Sequence, residues 1–166
     1  MSVQGGSAEK TGKLWDMIKS IRFAMLTSED GEVLRSRPMA ASQNDFDGDL
    51  WFFTRLDSHK VAEVEQDARV NVSYADPDHQ NYVSLSGTAR IVRDRTAIDA
   101  HWSEGARTWF PRGKDDPAIA LLKVSVSQAE YWDAPSSAMV MLFGYAKAVT
   151  TGRAPRPGEH ATVSFT

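Results

Sequence analysis

The sequence predicts a mainly β fold, antiparallel, with flanking helices. Three observations carry that reading. Short runs alternate apolar and polar residues, as Val70, Val72 and Tyr74 do. Tight turn signals separate those runs, among them Asp30-Gly31 and Asp76-Pro77-Asp78. Helical spacing is confined to brief segments such as Leu14, Met17, Ile18 and Ile21. Together they predict about six strands and about four helices in one domain.

In chain order, residues 1–8 read as a flexible terminus, and a first helix is expected over roughly Glu9 to Ser20. FAMLT and EVLRSR flank Ser28-Glu29-Asp30-Gly31 and make a hairpin. Pro38 marks an edge or a bulge, because it cannot donate to a ladder. SQNDFDGD is a turn region before the strand LWFFT, Leu50 to Thr54. Val61, Val64 and Ala68 share a helical face, so a short helix starts near His59. Tyr82 to Val92 is a longer strand, interrupted at Gly87 by a bulge or tight bend. A second short helix spans Asp94 to Ser103, and ARTWFPRGKDDP is a loop. Ile119 to Val126 and Ala129 to Trp132 are strands. Ser136 or Ser137 caps a last helix that Gly152 ends, closing a domain over 9–152. Residues 153–166, beginning with the Pro/Gly-rich GRAPRPGEH, form an extended tail.

Composition narrows the function. With 166 residues, 42% hydrophobic and 25% charged, the chain can bury a core without staples. Nineteen Lys and Arg against 22 Asp and Glu give a net charge of -3, which argues against a general nucleic-acid binder. There is no cysteine, so disulfides, thiolate metal sites and cysteine nucleophiles are excluded. No apolar run is long enough to span a bilayer, and the first residues lack the apolar core of a signal peptide. A cytoplasmic protein away from membranes is the expectation.

Several motifs are missing. GGSAEKTGK has the wrong glycine spacing for a phosphate loop, and Leu14 follows Lys13 where Ser or Thr is needed. Neither GxGxxG nor GxSxG occurs. His59, His79, His101 and His160 show no metal spacing, so no metal is expected. The informative constellation runs from Arg35 to Lys60. Arg35 and Arg37 alternate on a strand and share a face. Thr54 ends the next strand, and Ser58, His59 and Lys60 open a helix, whose free N–H groups and dipole favour an anion. Arg37 and Lys60 with the Thr54 and Ser58 hydroxyls would make a phosphate cradle. The plainer alternative is solvated cations and a Ser58 that only caps the helix.

RSRPMA, followed by WFFTRLDSHKVAEVEQDARVNVSYAD, resembles the flavin-binding core of the pyridoxamine 5'-phosphate oxidase-like split barrels. GTARIVRD, WFPRGKDDPAIALLKV, AEYWDAPSS and TTGRAPRPGEH are similar to the general stress protein 26 group of that superfamily. The resemblance covers nearly the whole chain from Leu14 and implies a six-stranded antiparallel FMN-binding split barrel, with flavin at a homodimer interface. It implies that Arg37 and Lys60 bind the FMN phosphate (FAD being the variant cofactor), with Thr54, Ser58 and His59 nearby. Pro38, Met39 and Ala40 would run along the isoalloxazine ring, and Phe53 would flank the phosphoribityl chain. Tyr82 stands where a glutamine often contacts flavin, and Trp109 and Trp132 would wall the ring. Trp109 and Phe110 would lie over the ring of the neighbouring subunit. The closing GEHATVSFT lacks the R-x-H pair of the vitamin-salvage oxidases and the chain lacks their RPxxSQ-type segment, so pyridoxal phosphate synthesis is not expected. The implied function is a flavin-dependent oxidoreductase linked to general stress, or else a non-enzymatic protein that binds or buffers flavin. No residue stands out as a general acid or base.

Overall fold

A computed structural model describes residues 4–133 and 159–165. Its elements are α1 (Gln4–Ile21), β1 (Phe23–Asp30), β2 (Val33–Ala40), β3 (Asp49–Arg55), α2 (His59–Gln66), β4 (Arg69–Asp76), β5 (Asn81–Val92), α3 (Arg95–His101), β6 (Ile119–Asp133) and β7 (Glu159–Ser164). Two 3-10 turns, Glu104–Thr108 and Gly113–Asp115, shape the loop before β6.

All strand pairs are antiparallel, in the order β2-β1-β4-β5-β6-β3. The first half of β6 pairs with β3 and its second half with β7, so β3 and β7 share one side of the same long strand. The two ends of the order, β2 and β3, meet only where the Ala41–Phe52 bridge and the Ser42 N–H to Trp51 carbonyl bond (2.8 Å) join them. The barrel is therefore closed at one end of β2 and split along the rest.

Alternation fixes which face is buried. Ala24, Leu26 and Ser28 of β1, Leu50, Phe52 and Thr54 of β3, and Val83 and Leu85 of β5 all point inward. Leu14, Met17 and Ile18 of α1 close the main core, as their spacing predicts. A second cluster of Ile98, Phe110, Ile119 and Leu121 packs α3 and its loop against the outer side of β3 and β6.

Gly87 is required by close approach. The β5–β6 register shifts between Ser86 and Gly87, and a Cβ at Gly87 would lie 2.1 Å from the Ser125 carbonyl oxygen. The predicted bulge is present and leaves no room for a side chain. Asp94 caps α3 as a helix-start residue should, its carboxylate accepting the Ala97 N–H at 2.9 Å.

The structure corrects several expectations. α1 begins at Gln4 rather than Glu9. Its first turns carry Gly and polar residues and show no apolar periodicity. The two strands expected over Ile119 to Trp132 are one continuous β6, because a partner change from β3 to β7 needs no break in β6 itself. Part of the expected extended tail is β7, which makes the sheet seven-stranded. Its Ala161 and Val163 are buried between exposed His160 and Thr162, an alternation too short to outweigh the Pro/Gly-rich stretch before it. The helix expected from Ser136 or Ser137 lies outside the described residues. Among the described residues no helix is long and apolar enough to cross a membrane.

Gly87→Ala is expected to lower stability by about 3 kcal/mol, the upper end of what overpacking costs. Urea unfolding measures it, and a loss under about 1 kcal/mol would show that the β5–β6 bulge relaxes freely.

Candidate functional site

The split between β2 and β3 is where the cations gather. Arg35, Arg37 and Met39 share the inward side of β2, as strand alternation requires, and Glu63 of α2 lies within ion-pair distance of both arginines. Arg37 is half-buried and does not extend into water. Its Nη1 donates to Ser28 Oγ at 2.5 Å and its Nη2 to Glu63 Oε2 at 2.5 Å. Ser28 also donates to that same Glu63 oxygen. Glu63, on α2, is 1% exposed at its side chain. A carboxylate so buried is tolerable only when it is paired and hydrogen-bonded. Burial pushes its carboxyl up, but the bonds from Ser28 and Arg37 outweigh that and hold it below its ordinary value.

Next to this pair lies the start of α2. Ser58 is its N-cap residue, with extended backbone angles (φ -79°, ψ 147°), yet its hydroxyl makes no capping bond. That hydroxyl instead lies 3.3 Å from Thr54 Oγ1 and accepts from Lys60 Nζ at 3.3 Å. The plain capping role is thus absent at Ser58. Thr54 is buried at 2% exposure. Lys60 is half-buried, and among the described residues the Ser58 contact is its one hydrogen bond. Burial lowers the Lys60 pKa, repulsion from Arg37 lowers it further, and Glu63 raises it. Two cations that repel each other beside a helix N-terminus and two hydroxyls form a site short of negative charge.

The remaining expected residues divide into groups. His59 is close by but faces Asp30, its Nε2 3.2 Å from Asp30 Oδ2, and is 66% exposed. Met39 points into the core at 9% exposure. Pro38 and Ala40 face outward on β2, paired with exposed Met25 and Phe23 of β1. Tyr82 and Trp132 oppose each other across β5 and β6 on that outward side. Trp132 also stacks on His160 of β7, rings 5.0 Å apart and 8° from parallel. Phe53 is not gathered with Thr54. The alternation of β3 sends it to the opposite face, edge-on to Trp102 and Phe110. Trp109 is 73% exposed and also lies apart from the cation group, whereas Phe110 is 2% exposed. Phe110 therefore anchors its own loop in the second cluster, which corrects its expected place over the ring of a neighbouring subunit.

Sequence reasoning missed Ser28 and Glu63. Ser28 read as part of a turn, but β1 runs on to Asp30 and only Gly31 (φ 63°) and Glu32 lie between the strands. Glu63 adjoins Val64 on the apolar face of α2, and its i,i+4 spacing from His59 was the available signal. Asp30, His59 and Glu63 also place possible metal-ligating atoms within 4.8 Å of one another. Arg35 Nη1 is already 3.1 Å from Asp30 and 3.8 Å from Glu63, so these carboxylates are balanced by guanidinium groups.

Comparisons with known proteins agree with this architecture. The family model described as pyridoxamine 5'-phosphate oxidase like matches residues 9–156. A crystal structure from Jannaschia sp. CCS1, described as a general stress protein 26, is 31% identical with a TM-score of 0.74, covering 96% of this chain and 99% of that one. The general stress FMN/FAD binding protein of Xanthomonas citri is 34% identical with a TM-score of 0.70, covering 78% and 92%. Protein bli-3 of Neurospora crassa is 28% identical over 156 residues, 87% of this chain and 75% of its own.

Arg37→Ala would take from the buried Glu63 its closest cation, leaving Ser28 and the more distant Arg35, and is expected to cost about 3 kcal/mol of stability, read by urea unfolding. A second expectation concerns acid. The folded Glu63 carboxyl lies below its ordinary 4.5, so its stabilisation is complete above that value and is lost as pH falls through the folded pKa. Unfolding midpoints between pH 7 and pH 3 should therefore drop less steeply in Glu63→Gln than in the parent. Parallel curves would contradict the pairing.

Proposed function

Because the chain belongs to the pyridoxamine 5'-phosphate oxidase-like family, we propose that it binds FMN and works as a flavin-dependent oxidoreductase. The observation that carries this reading is the half-buried Lys60, held near Arg37 with no carboxylate hydrogen-bonded to it among the described residues. A terminal phosphate supplies the missing charge. Lys60 meets it as a point charge, Arg37 offers the N–H groups not spent on Ser28 and Glu63, and the start of α2 adds backbone donors. The uncapped Ser58 hydroxyl and Thr54 complete the cradle. The Xanthomonas relative is described as binding FMN or FAD. A single cation cluster enclosed by α2 favours the monophosphate.

From there β2 leads outward. Its free edge beyond the Ala41 bridge presents main-chain groups at Met39 and Ala40 to a ring, with Tyr82 and Trp132 farther across the same outer side. Bound flavin would supply the hydride or electron transfer. The residues here bind it, orient it and exclude water. Phe23 and Met25, 61% and 42% exposed, give this side an apolar surface that a second copy of the chain would cover. We assign the working form as a homodimer with the flavin between subunits. A second reading, a stress protein that binds or buffers flavin without turnover, is favoured by one observation. The outward residues next to Pro38 and Ala40 are apolar rather than a convergent set of acids and bases.

Lys60→Ala should weaken FMN binding by about 1.5–3 kcal/mol, the worth of hydrogen bonds to charged groups, and leave riboflavin nearly unaffected. Fluorescence titration of both flavins checks this, and equal losses would overturn the phosphate assignment. Sedimentation should give a dimer. A monomer that holds FMN tightly would contradict the shared site.

A further inference from the structure

Resting on the phosphate site proposed above, we propose that Glu63 is a built-in competitor of the phosphate, a buried carboxylate that already engages Arg37 and so limits how tightly the split holds a phosphate monoester. Glu63 sits one helical turn after Lys60 on α2. Its Oε2 takes bonds from Ser28 and Arg37. Its Oε1 has no hydrogen bond among the described residues, and Arg35 Nη1 and His59 Nε2 lie 3.8 Å and 3.9 Å away. Arg35 is itself matched by Asp30 at 3.1 Å.

The charge balance follows. Arg37 and Lys60 bring two positive charges into the split, and Glu63 removes one of them. A phosphate monoester carries about -1.5 to -2 near neutral pH. With Glu63 ionised, binding leaves roughly half to one negative charge in excess at a partly buried place, where charges interact more strongly than in water. The carboxylate serves the unliganded protein by neutralising Arg37, and the same charge opposes the ligand. Glu63→Gln keeps the side chain's shape and an oxygen that accepts from Ser28 and Arg37. It removes the charge and turns the Oε1 position, which makes no hydrogen bond in the parent, into an amide donor. Tighter binding in such a variant cannot arise from damage to the fold, which would weaken binding.

The test titrates FMN and riboflavin into the full-length parent and Glu63→Gln at pH 7.5, following flavin fluorescence. FMN should bind the variant about tenfold or more tightly than the parent, riboflavin should be unchanged, and adding Lys60→Ala should abolish the gain. Thermal melts give a second reading that holds even for a less stable variant. The same excess of FMN should raise the midpoint of Glu63→Gln by more degrees than that of the parent. FMN affinity that is unchanged or weaker in the variant, with a smaller midpoint rise, overturns the inference. So does an equal gain for riboflavin. A parent that binds FMN and riboflavin equally overturns the phosphate site and this inference together. A parent that prefers FMN, with no gain in the variant, overturns this inference alone.

Discussion

The buried pair between Arg37 and Glu63 ties α2 to the outermost strand of an open sheet. β2 pairs with β1 on one side and meets β3 only at Ala41, so little else fixes it along the split. Glu63 reaches from the helix to Arg37 on β2 and to Ser28 on β1. One carboxylate therefore sets the spacing between the strand that carries Arg37 and the helix that carries Ser58 and Lys60. Its own burial makes that restraint strong, because a half-broken buried pair is worse than an intact one.

The chemistry of the split follows from where the chain places its hydroxyls. Ser28, Thr54 and Ser58 come from three different places in the chain; Ser28 accepts from Arg37, Ser58 accepts from Lys60 in place of a helix-capping bond, and Thr54 bonds to the Ser58 hydroxyl. Thr54 owes its inward position to the alternation that buries Leu50 and Phe52. That alternation also sends Phe53 to the second core cluster. The rule that turns Thr54 inward thus puts Phe53, which the family resemblance sets beside the phosphoribityl chain, on the opposite face of β3. On β2, likewise, Pro38 and Ala40 face outward because Arg37 and Met39 face inward.

The fold was legible in the sequence wherever a pattern was local and repeated. The alternation of β4, the Asp30-Gly31 turn, the Asp94 start of α3 and the Gly87 bulge all hold. What escaped was set by partners distant in sequence. Only pairing with β6 reveals β7, and only the change of partner explains why β6 runs unbroken. In the site, Arg37 and Lys60 were legible as cations on a strand and at a helix start, although β2 runs past Arg37 to Ala40. Ser28 and Glu63 were not, since their positions near a turn and on an apolar helix face gain meaning only when β1, β2 and α2 pack together. Phe110 misled because an aromatic residue beside exposed Trp109 in a loop looks like a surface feature, whereas its contacts with Phe53 and Ile119 make it core.

A crystal structure of the protein grown with FMN decides directly where the flavin phosphate lies. The phosphate is expected in the split, within hydrogen-bonding distance of Lys60 Nζ and Ser58 Oγ, with Arg37 still bonded to Glu63. A phosphate elsewhere would contradict the account, for instance in the shallow groove of about 450 Å³ on the outer face lined by Thr27, Arg69, Asn71 and Ser86.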